Sequence, residues 1–322
     1  MLALAAAVLL VLPAQITESS GVASSSVSDE WLFTHEDSGA DGEVHAVATD
    51  GRLLATYRLG VQSRDWEDMA RAGRTLYLAD IGDNSAARDL GLLVHEVPEP
   101  DVDPSREGVV EDLPPTASYR LRYPDGPRDA ETLLVHPTTG RAYVVTKGIL
   151  GRPQVWAAPL PLRPDAPNLL EQVGEVEPRR TGTPGGPGIG RAANVLVTAG
   201  DISPDGGRVA LRTYTDLYEW RVQDGDVAGA LEEDPVVLAL PPTVQGEGLA
   251  YTRDGTALLT TTEGPGAEVH RVPSPLAAQG ADPASAPAGG DGVPGPWRTA
   301  GVVAAAGVLL LTALLLRRRP RR

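Results

Sequence analysis

Glu43-Val44-His45-Ala46-Val47 recurs four more times along the chain, as Leu93-Val94-His95-Glu96-Val97, Gln154-Val155-Trp156-Ala157-Ala158, Asp216-Leu217-Tyr218-Glu219-Trp220 and Glu268-Val269-His270-Arg271-Val272. Each copy has the two-residue alternation of a half-buried strand. A second alternating strand lies upstream of each: Trp31-Leu32-Phe33-Thr34-His35, Leu76-Tyr77-Leu78-Ala79-Asp80, Ala142-Tyr143-Val144-Val145-Thr146, Val209-Ala210-Leu211-Arg212-Thr213 and Ala257-Leu258-Leu259-Thr260-Thr261. Before each of those, an acidic residue introduces a third short apolar strand. These acids are Glu18, Glu67, Glu131, Asp201 and Glu247. Turn sequences such as Ser203-Pro204-Asp205-Gly206 and Thr252-Arg253-Asp254-Gly255 fall where a hairpin needs a positive φ. A fourth strand follows in most units, at 53–59, 117–123 and 235–240.

Four short antiparallel strands per unit predict an all-β fold, a β-propeller of five four-stranded blades. The acids are spaced by 49, 64, 70 and 46 residues, so the two long units leave room for a sixth, degenerate blade. The fifth unit has no outer strand of its own. That strand is either absent or supplied by the N-terminal residues as a closing clasp.

The flanks point to a membrane. Residues 300–316 read AGVVAAAGVLLLTALLL, without a charge, and Arg317-Arg318-Arg319-Pro320-Arg321-Arg322 follow at once. At ~1.5 Å per residue this run is about 26 Å long, near the lower limit for crossing a bilayer core of ~30 Å. Arginines after the span mark the cytoplasmic side, and Trp297 sits at the opposite interface. The expected layout is a signal peptide at 1–14 and a propeller ectodomain at 15–274. A disordered Pro/Ala/Gly stalk at 275–297, a transmembrane helix at 298–316 and a cytoplasmic Arg-rich tail at 317–322 complete it. Residues 2–12 are too short to span, and no basic residue precedes them, as though the start of the signal were truncated.

Composition narrows the chemistry. No cysteine is present, so disulfides and thiolate metal sites are excluded. Six of the 28 basic residues lie from Arg298 onward, which leaves 22 against 43 acidic residues for the exterior part. Such a surface is a poor partner for nucleic acid and a better one for cations or a basic protein. Lys147 is the sole lysine. No G-x-S-x-G or H-E-x-x-H motif supplies a nucleophile or zinc site. His45, His95 and His270 hold equal places in the third strands and read as packing residues. The loop at 181–190 (TGTPGGPGIG) reads as a flexible blade connection, not as a phosphate cradle.

The innermost strands of a propeller line its channel, so the five acids would converge at one mouth. Asp65 and Asp68 flank Glu67, Asp129 neighbours Glu131, Asp80-Ile81-Gly82-Asp83-Asn84 ends a second strand, and Glu36-Asp37 and Glu263 fall at equivalent ends. Crowded carboxylates repel, and a hard cation with six to eight oxygen ligands relieves them. Calcium is the expected ion, with Glu67, Asp83, Glu131, Asp201 and Glu247 as its ligands. The competing arrangement is a salt-bridge network with Arg88, Arg128 and Arg212.

Asp65-Trp66-Glu67-Asp68, the stretch Leu76 to Asn84, Tyr123-Pro124-Asp125-Gly126 with Asp129-Ala130-Glu131, and Gln245-Gly246-Glu247 resemble an uncharacterised group of exported, membrane-anchored β-propellers of high-GC bacteria. More distantly they are similar to phytase-like, esterase-like and lactonase-like propellers, some of which bind calcium at the channel. The resemblance implies the fold and the acidic ring over residues 17–274, and no particular reaction. Two functions follow as expectations. One is an extracytoplasmic module that binds a cell-envelope ligand or protein, with a cation in its channel. The other is a calcium-dependent hydrolase of the phosphoesterase or lactonase type, with Lys147 and Arg212 as candidate catalytic groups stabilising an anionic transition state.

Overall fold

β1 (Ala7–Val11) is followed by the first blade, β2 (Ser19–Ser24), β3 (Trp31–Glu36), β4 (Glu43–Ala48) and β5 (Leu53–Arg58). The second blade is β6 (Trp66–Ala72), β7 (Thr75–Asp80), β8 (Leu92–Pro98) and, after β9 (Val109–Asp112), β10 (Ala117–Arg122). The third is β11 (Ala130–Val135), β12 (Ala142–Thr146), β13 (Gln154–Ala157) and, after β14 (Asn168–Leu169), β15 (Glu171–Glu175). The fourth is β16 (Val197–Ile202), β17 (Arg208–Thr213), β18 (Asp216–Arg221), α1 (Val227–Glu232) and β19 (Val236–Ala239). The fifth is β20 (Gly246–Tyr251), β21 (Ala257–Thr262) and β22 (Glu268–Pro273), with α2 (Pro275–Gly280) after it. This computed structural model describes residues 5–38, 42–88, 90–149 and 151–280.

The inner strands β2, β6, β11, β16 and β20 each pack against the next, and β20 packs against β2, so the ring closes with five blades. No sixth blade occurs among the described residues. The surplus length of the long units goes backwards instead. β9 pairs in parallel with β5 of the preceding blade, and β14 pairs in parallel with β10. Asn168 pins the second of these straps by donating to the carbonyls of Arg120 (3.1 Å) and Arg163 (2.9 Å). The expected hairpin turns are present, and Gly206 takes the left-handed φ of 73° that its turn requires.

One apolar wedge fills each gap between neighbouring blades. Phe33, Leu54, Trp66 and Met69 lie between the first and second, and Leu121, Leu133, Val144 and Trp156 between the second and third. The other three gaps are filled in the same way, by Val209, Leu211 and Trp220, by Leu217, Leu249 and Leu258, and by Leu10, Leu32 and Val269.

Residues from the two flanks take places in the globular part. β1 pairs antiparallel with β22 and supplies the missing outer strand of the fifth blade. The apolar run expected as the core of a signal peptide therefore has a packing role here. Leu10, Leu12 and Ile16 are buried in the wedge between the fifth and first blades, about 1.5–3 kcal/mol for each such side chain. At the other end, residues 275–280 are helical, although a disordered stalk was expected from 275. Glu219 accepts the Leu276 N–H at 2.8 Å and holds α2 against the fourth blade. The rest of the expected stalk, the transmembrane helix and the tail lie outside the described residues. Within these, no helix is long and apolar enough to cross a membrane.

The loop at 181–190 was expected to be flexible. Its described backbone is tied down by Asp216, which accepts from the hydroxyls of Thr181 (2.8 Å) and Thr183 (2.6 Å), and by Asn194, which donates to the Thr183 carbonyl.

Candidate functional site

Every inner strand breaks register with its neighbour at the same place, just after its first residue. A bulged residue leaves the ladder and its side chain is re-aimed. The residues so placed are Ser20, Glu67, Glu131, Thr198 and Glu247, and this backbone feature builds the ring. Ser20 and Thr198 donate to backbone carbonyls of the next blade, those of Glu67 and Gly246. The three glutamates are left as the ring's ionisable members.

Two further rings flank this one. The residues immediately before the inner strands include Glu18, Asp65, Asp129 and Gln245. Their carbonyls accept the N–H groups of Asp37 (3.1 Å), Gly82 (3.2 Å), Lys147 (3.2 Å) and Glu263 (3.0 Å), each just past a second strand. Gly82 therefore stands in the second blade where Lys147 stands in the third. A Cβ there would collide with Glu67 Oε1 and with the Asp65 carboxylate. The glycine is a close-approach residue that makes room for two acids.

Glu67, Asp129 and Glu131 each bring one carboxylate oxygen into a group spanning no more than 4.8 Å. Asp129 is oriented by the Asp83 N–H, which donates to Oδ1 at 2.8 Å, while its Oδ2 is buried without a partner. Glu247 is 4% exposed, and its Oε2 also has no partner. Among the described residues one cation touches the group: the Lys147 ammonium donates to Glu131 Oε1 and lies 5.7 Å from the centre of the Tyr214 ring.

The electrostatics follow from burial and crowding. Burial, then the charges of Glu131, Asp65 and Glu247, push the Glu67 carboxyl well above the ordinary range. Burial and Glu131 do the same to Glu247. Glu131 is raised to about 7 by burial, with Lys147 opposing and Asp129 adding to the rise. Across the mouth, burial and the neighbouring Glu18 raise Asp37 to about 7. Burial acts to lower the Lys147 ammonium, but Glu131, Tyr214 and Glu247 together outweigh it and the net shift is upward, so Lys147 stays charged.

The other sequence candidates lie elsewhere or are already engaged. Asp201 is the fifth residue of β16, away from the mouth, and accepts the N–H groups of Tyr251 (2.7 Å) and Ile202 (2.8 Å). The Asp83 carboxylate caps its own loop, accepting from Ala87 N (2.9 Å) and Arg88 N (2.8 Å). Arg212 is 1% exposed and donates to the carbonyls of Thr213, Tyr214, Gly248 and Thr261, riveting the fourth blade to the fifth. The anticipated salt-bridge network does not reach the ring. Arg88 pairs with Asp80 at 2.7 Å and Arg128 with Asp125 at 2.8 Å, and among the described residues no arginine bridges Glu67, Glu131 or Glu247. His45 and His95 are buried against outer-strand hydroxyls, those of Thr56 (3.1 Å) and Ser118 (2.8 Å), as packing residues. Asp129, Gly82 and Tyr214 were not among the expected site residues.

The orphaned oxygens, the cradle at Gly82 and an all-oxygen donor set fit a hard divalent cation, whose oxygen ligands lie at ~2.3–2.6 Å. Beside Asp129 a cavity of about 510 Å³ opens to solvent, lined by Asp83, Asn84, Arg128, Thr146, Ile149, Gln154 and neighbouring residues.

No family model matches the chain, and no curated protein matches it. Among solved structures it is similar to a glutaminyl cyclase from Myxococcus xanthus, at 14% identity over 84% of this chain and 97% of that one, TM-score 0.46. It is similar to a gluconolactonase from Xanthomonas campestris, at 16% identity over 83% of this chain and 89% of that one, TM-score 0.42. A β-propeller domain from Myceliophteria thermophila aligns at 12% identity over 80% of this chain, TM-score 0.38, and this chain spans 65% of its length.

Proposed function

We propose that this propeller is a membrane-anchored, extracytoplasmic binding module that holds a calcium ion at Glu67, Asp129 and Glu131 and receives a cell-envelope ligand or partner on that face. The observation that carries the reading is the convergence of three carboxylate oxygens within 4.8 Å, with Lys147 as the one cation in contact among the described residues. A bound ion would supply a fixed positive charge to which an oxygen-rich ligand could coordinate. The protein's own groups divide the remaining work. Asp83 orients Asp129 through its N–H, and Gly82 keeps the cradle open. The membrane placement rests on the apolar run 300–316 and the arginines after it.

The cavity beside Asp129 favours a second reading, a calcium-dependent hydrolase. Arg128 and Arg152 line it, but both are paired, with Asp125 and Glu177. It therefore suits a neutral ester or lactone better than a phosphoester. Arg212 is committed to backbone carbonyls, which leaves Lys147 as the charged candidate for the chemistry.

Thermal unfolding with calcium and with chelator tests the ion. Ligand binding to the folded state alone raises the midpoint by mass action. A rise with calcium that Glu131→Gln abolishes is expected, and no rise at millimolar calcium sinks the reading. Turnover of a generic lactone, lost on chelation, would then favour the hydrolase over the binding module.

A further inference from the structure

Lys147 is the sole lysine in a chain whose other basic residues are all arginine, and it sits on the acid group. Its ammonium contacts Glu131, a carboxylate that also belongs to the converging trio, and the two side chains are 13% and 2% exposed. One residue past a second strand, it occupies the position that Gly82 leaves vacant in the neighbouring blade. A second observation points into the same mouth. Glu247, more than nine-tenths buried, has an oxygen with no hydrogen-bond partner. The tethered ammonium donates to Glu131 and leaves this Glu247 oxygen without a donor.

We propose that Lys147 sets the valence selectivity of the site, as a tethered monovalent ion that excludes sodium and potassium and gives way to a divalent cation. The inference rests on the cation reading above. A free monovalent ion brings the same charge as the ammonium it would displace and loses translational freedom on binding, so the exchange gains nothing. A divalent ion doubles the charge facing the same carboxylates, and in a buried setting that Coulombic gain is large.

The side chain suits the task. Lysine carries a compact charge on a flexible four-carbon stem, whereas arginine grips a carboxylate with a rigid planar fork. Arg88 on Asp80 illustrates the fixed alternative one blade away, a buried pair at 2.7 Å with the same guanidinium nitrogen also donating to the Asp80 carbonyl. Tyr214 gives the ammonium a second resting place. The ring centre already lies 5.7 Å from Nζ, within cation–π range, so release from Glu131 need not return the charge to bulk water.

Calorimetric titration of the full-length protein with calcium, in sodium chloride and in choline chloride at equal ionic strength, tests the proposal. Choline is too large to enter the trio. Wild type is expected to bind calcium equally well in both salts. Lys147→Met should bind calcium about tenfold or more tightly in choline and lose most of that gain in sodium. Unchanged or weaker calcium binding by Lys147→Met overturns the proposal, as does sodium competition in wild type. Absence of calcium binding by both proteins overturns it too, and identifies the cation reading as the part that failed.

A second measurement does not depend on a variant. Reductive methylation with ¹³C-formaldehyde labels the amine of a single lysine and preserves its charge, and the N-terminal amine gives a separate signal. The Lys147 methyl resonance should move on adding calcium and stay in place on adding sodium. A resonance indifferent to calcium, while calorimetry records binding, also overturns displacement.

Discussion

Glu67 and Asp68 are adjacent in β6, both buried and both acidic, yet they meet opposite surroundings. Asp68 accepts the N–H groups of Met69 (2.9 Å), Leu133 (3.0 Å) and, at a longer 3.4 Å, Gly200, so one carboxylate ties three blades together at the channel wall. The Glu67 carboxylate accepts from no backbone or side-chain donor among the described residues and faces other carboxylates. Asp201 follows Asp68, and Glu247 follows Glu67, as does Glu131 apart from the Lys147 ammonium that it accepts. A buried carboxylate is thus part of the frame where N–H groups converge on it. Where the backbone bulges and turns its donors away, the carboxylate is left for something else to neutralise.

The largest effect should come from removing an acid of the frame. Asp68→Ala strands three backbone N–H groups, each costing about 1–3 kcal/mol. Urea unfolding should show a loss of about 3–6 kcal/mol, with Asp68→Asn losing roughly half as much because its carbonyl oxygen can still accept. An Asp68→Ala protein as stable as wild type would break the comparison.

A mouth acid should behave in the reverse sense. Glu131 and Asp37 have folded pKa values of about 7, above their ordinary 4.5 and 3.8, and burial raises Asp201 of the frame to about 7 as well. Folding therefore favours their protonated forms. The stability they contribute is fully present below the ordinary value and is lost as pH rises through about 7. The melting temperature in chelator should fall between roughly pH 4.5 and 7.5, and calcium should flatten the part due to the mouth acids and leave the part due to Asp201. Glu67→Gln, which lightens the crowd, should raise the chelated protein's midpoint near pH 8 by about 3–6 °C. A lowered midpoint would place Glu67 with the frame.

The smallest change in stability should come from Gly82→Ala. The atoms its Cβ would meet are the ends of the Glu67 and Asp65 side chains, which can rotate aside. The fold should lose no more than about 1 kcal/mol while calcium binding weakens about tenfold or more, read by calorimetry. Unaltered binding would show that the cradle at Gly82 is incidental.

The blades were legible because each second and third strand alternates cleanly, and the five copies of each coincide with observed strands to within a residue or two. The straps β9 and β14 were not. They are short, parallel and borrowed from the next unit, so no periodicity marks them. In the site, Glu67, Glu131 and Glu247 were found because each follows the first residue of its strand. Asp201 was grouped with them because an acid followed by an apolar residue looks the same at the end of a strand as at its start. Register decided the matter, and register depends on a bulge that sequence does not display. Arg212 read as an available cation because four carbonyls from two blades converge on it only once the fourth and fifth blades pack together. Asp129 was noticed as a neighbour of Glu131 and passed over because it precedes the strand.

The clasp has a consequence for how the chain reaches this form. Ala7 pairs with Arg271, so β1 waits for β22, about 260 residues further along the chain, before its hydrogen bonds exist. Until then the fifth blade has a bare edge, and Leu10 and Leu12 have no wedge to enter. Contacts of such sequence separation form slowly, and an unpaired apolar strand is a template for other chains in the meantime. During synthesis, the segment that finally locks the ring is also an unpaired apolar strand until the fifth blade is complete.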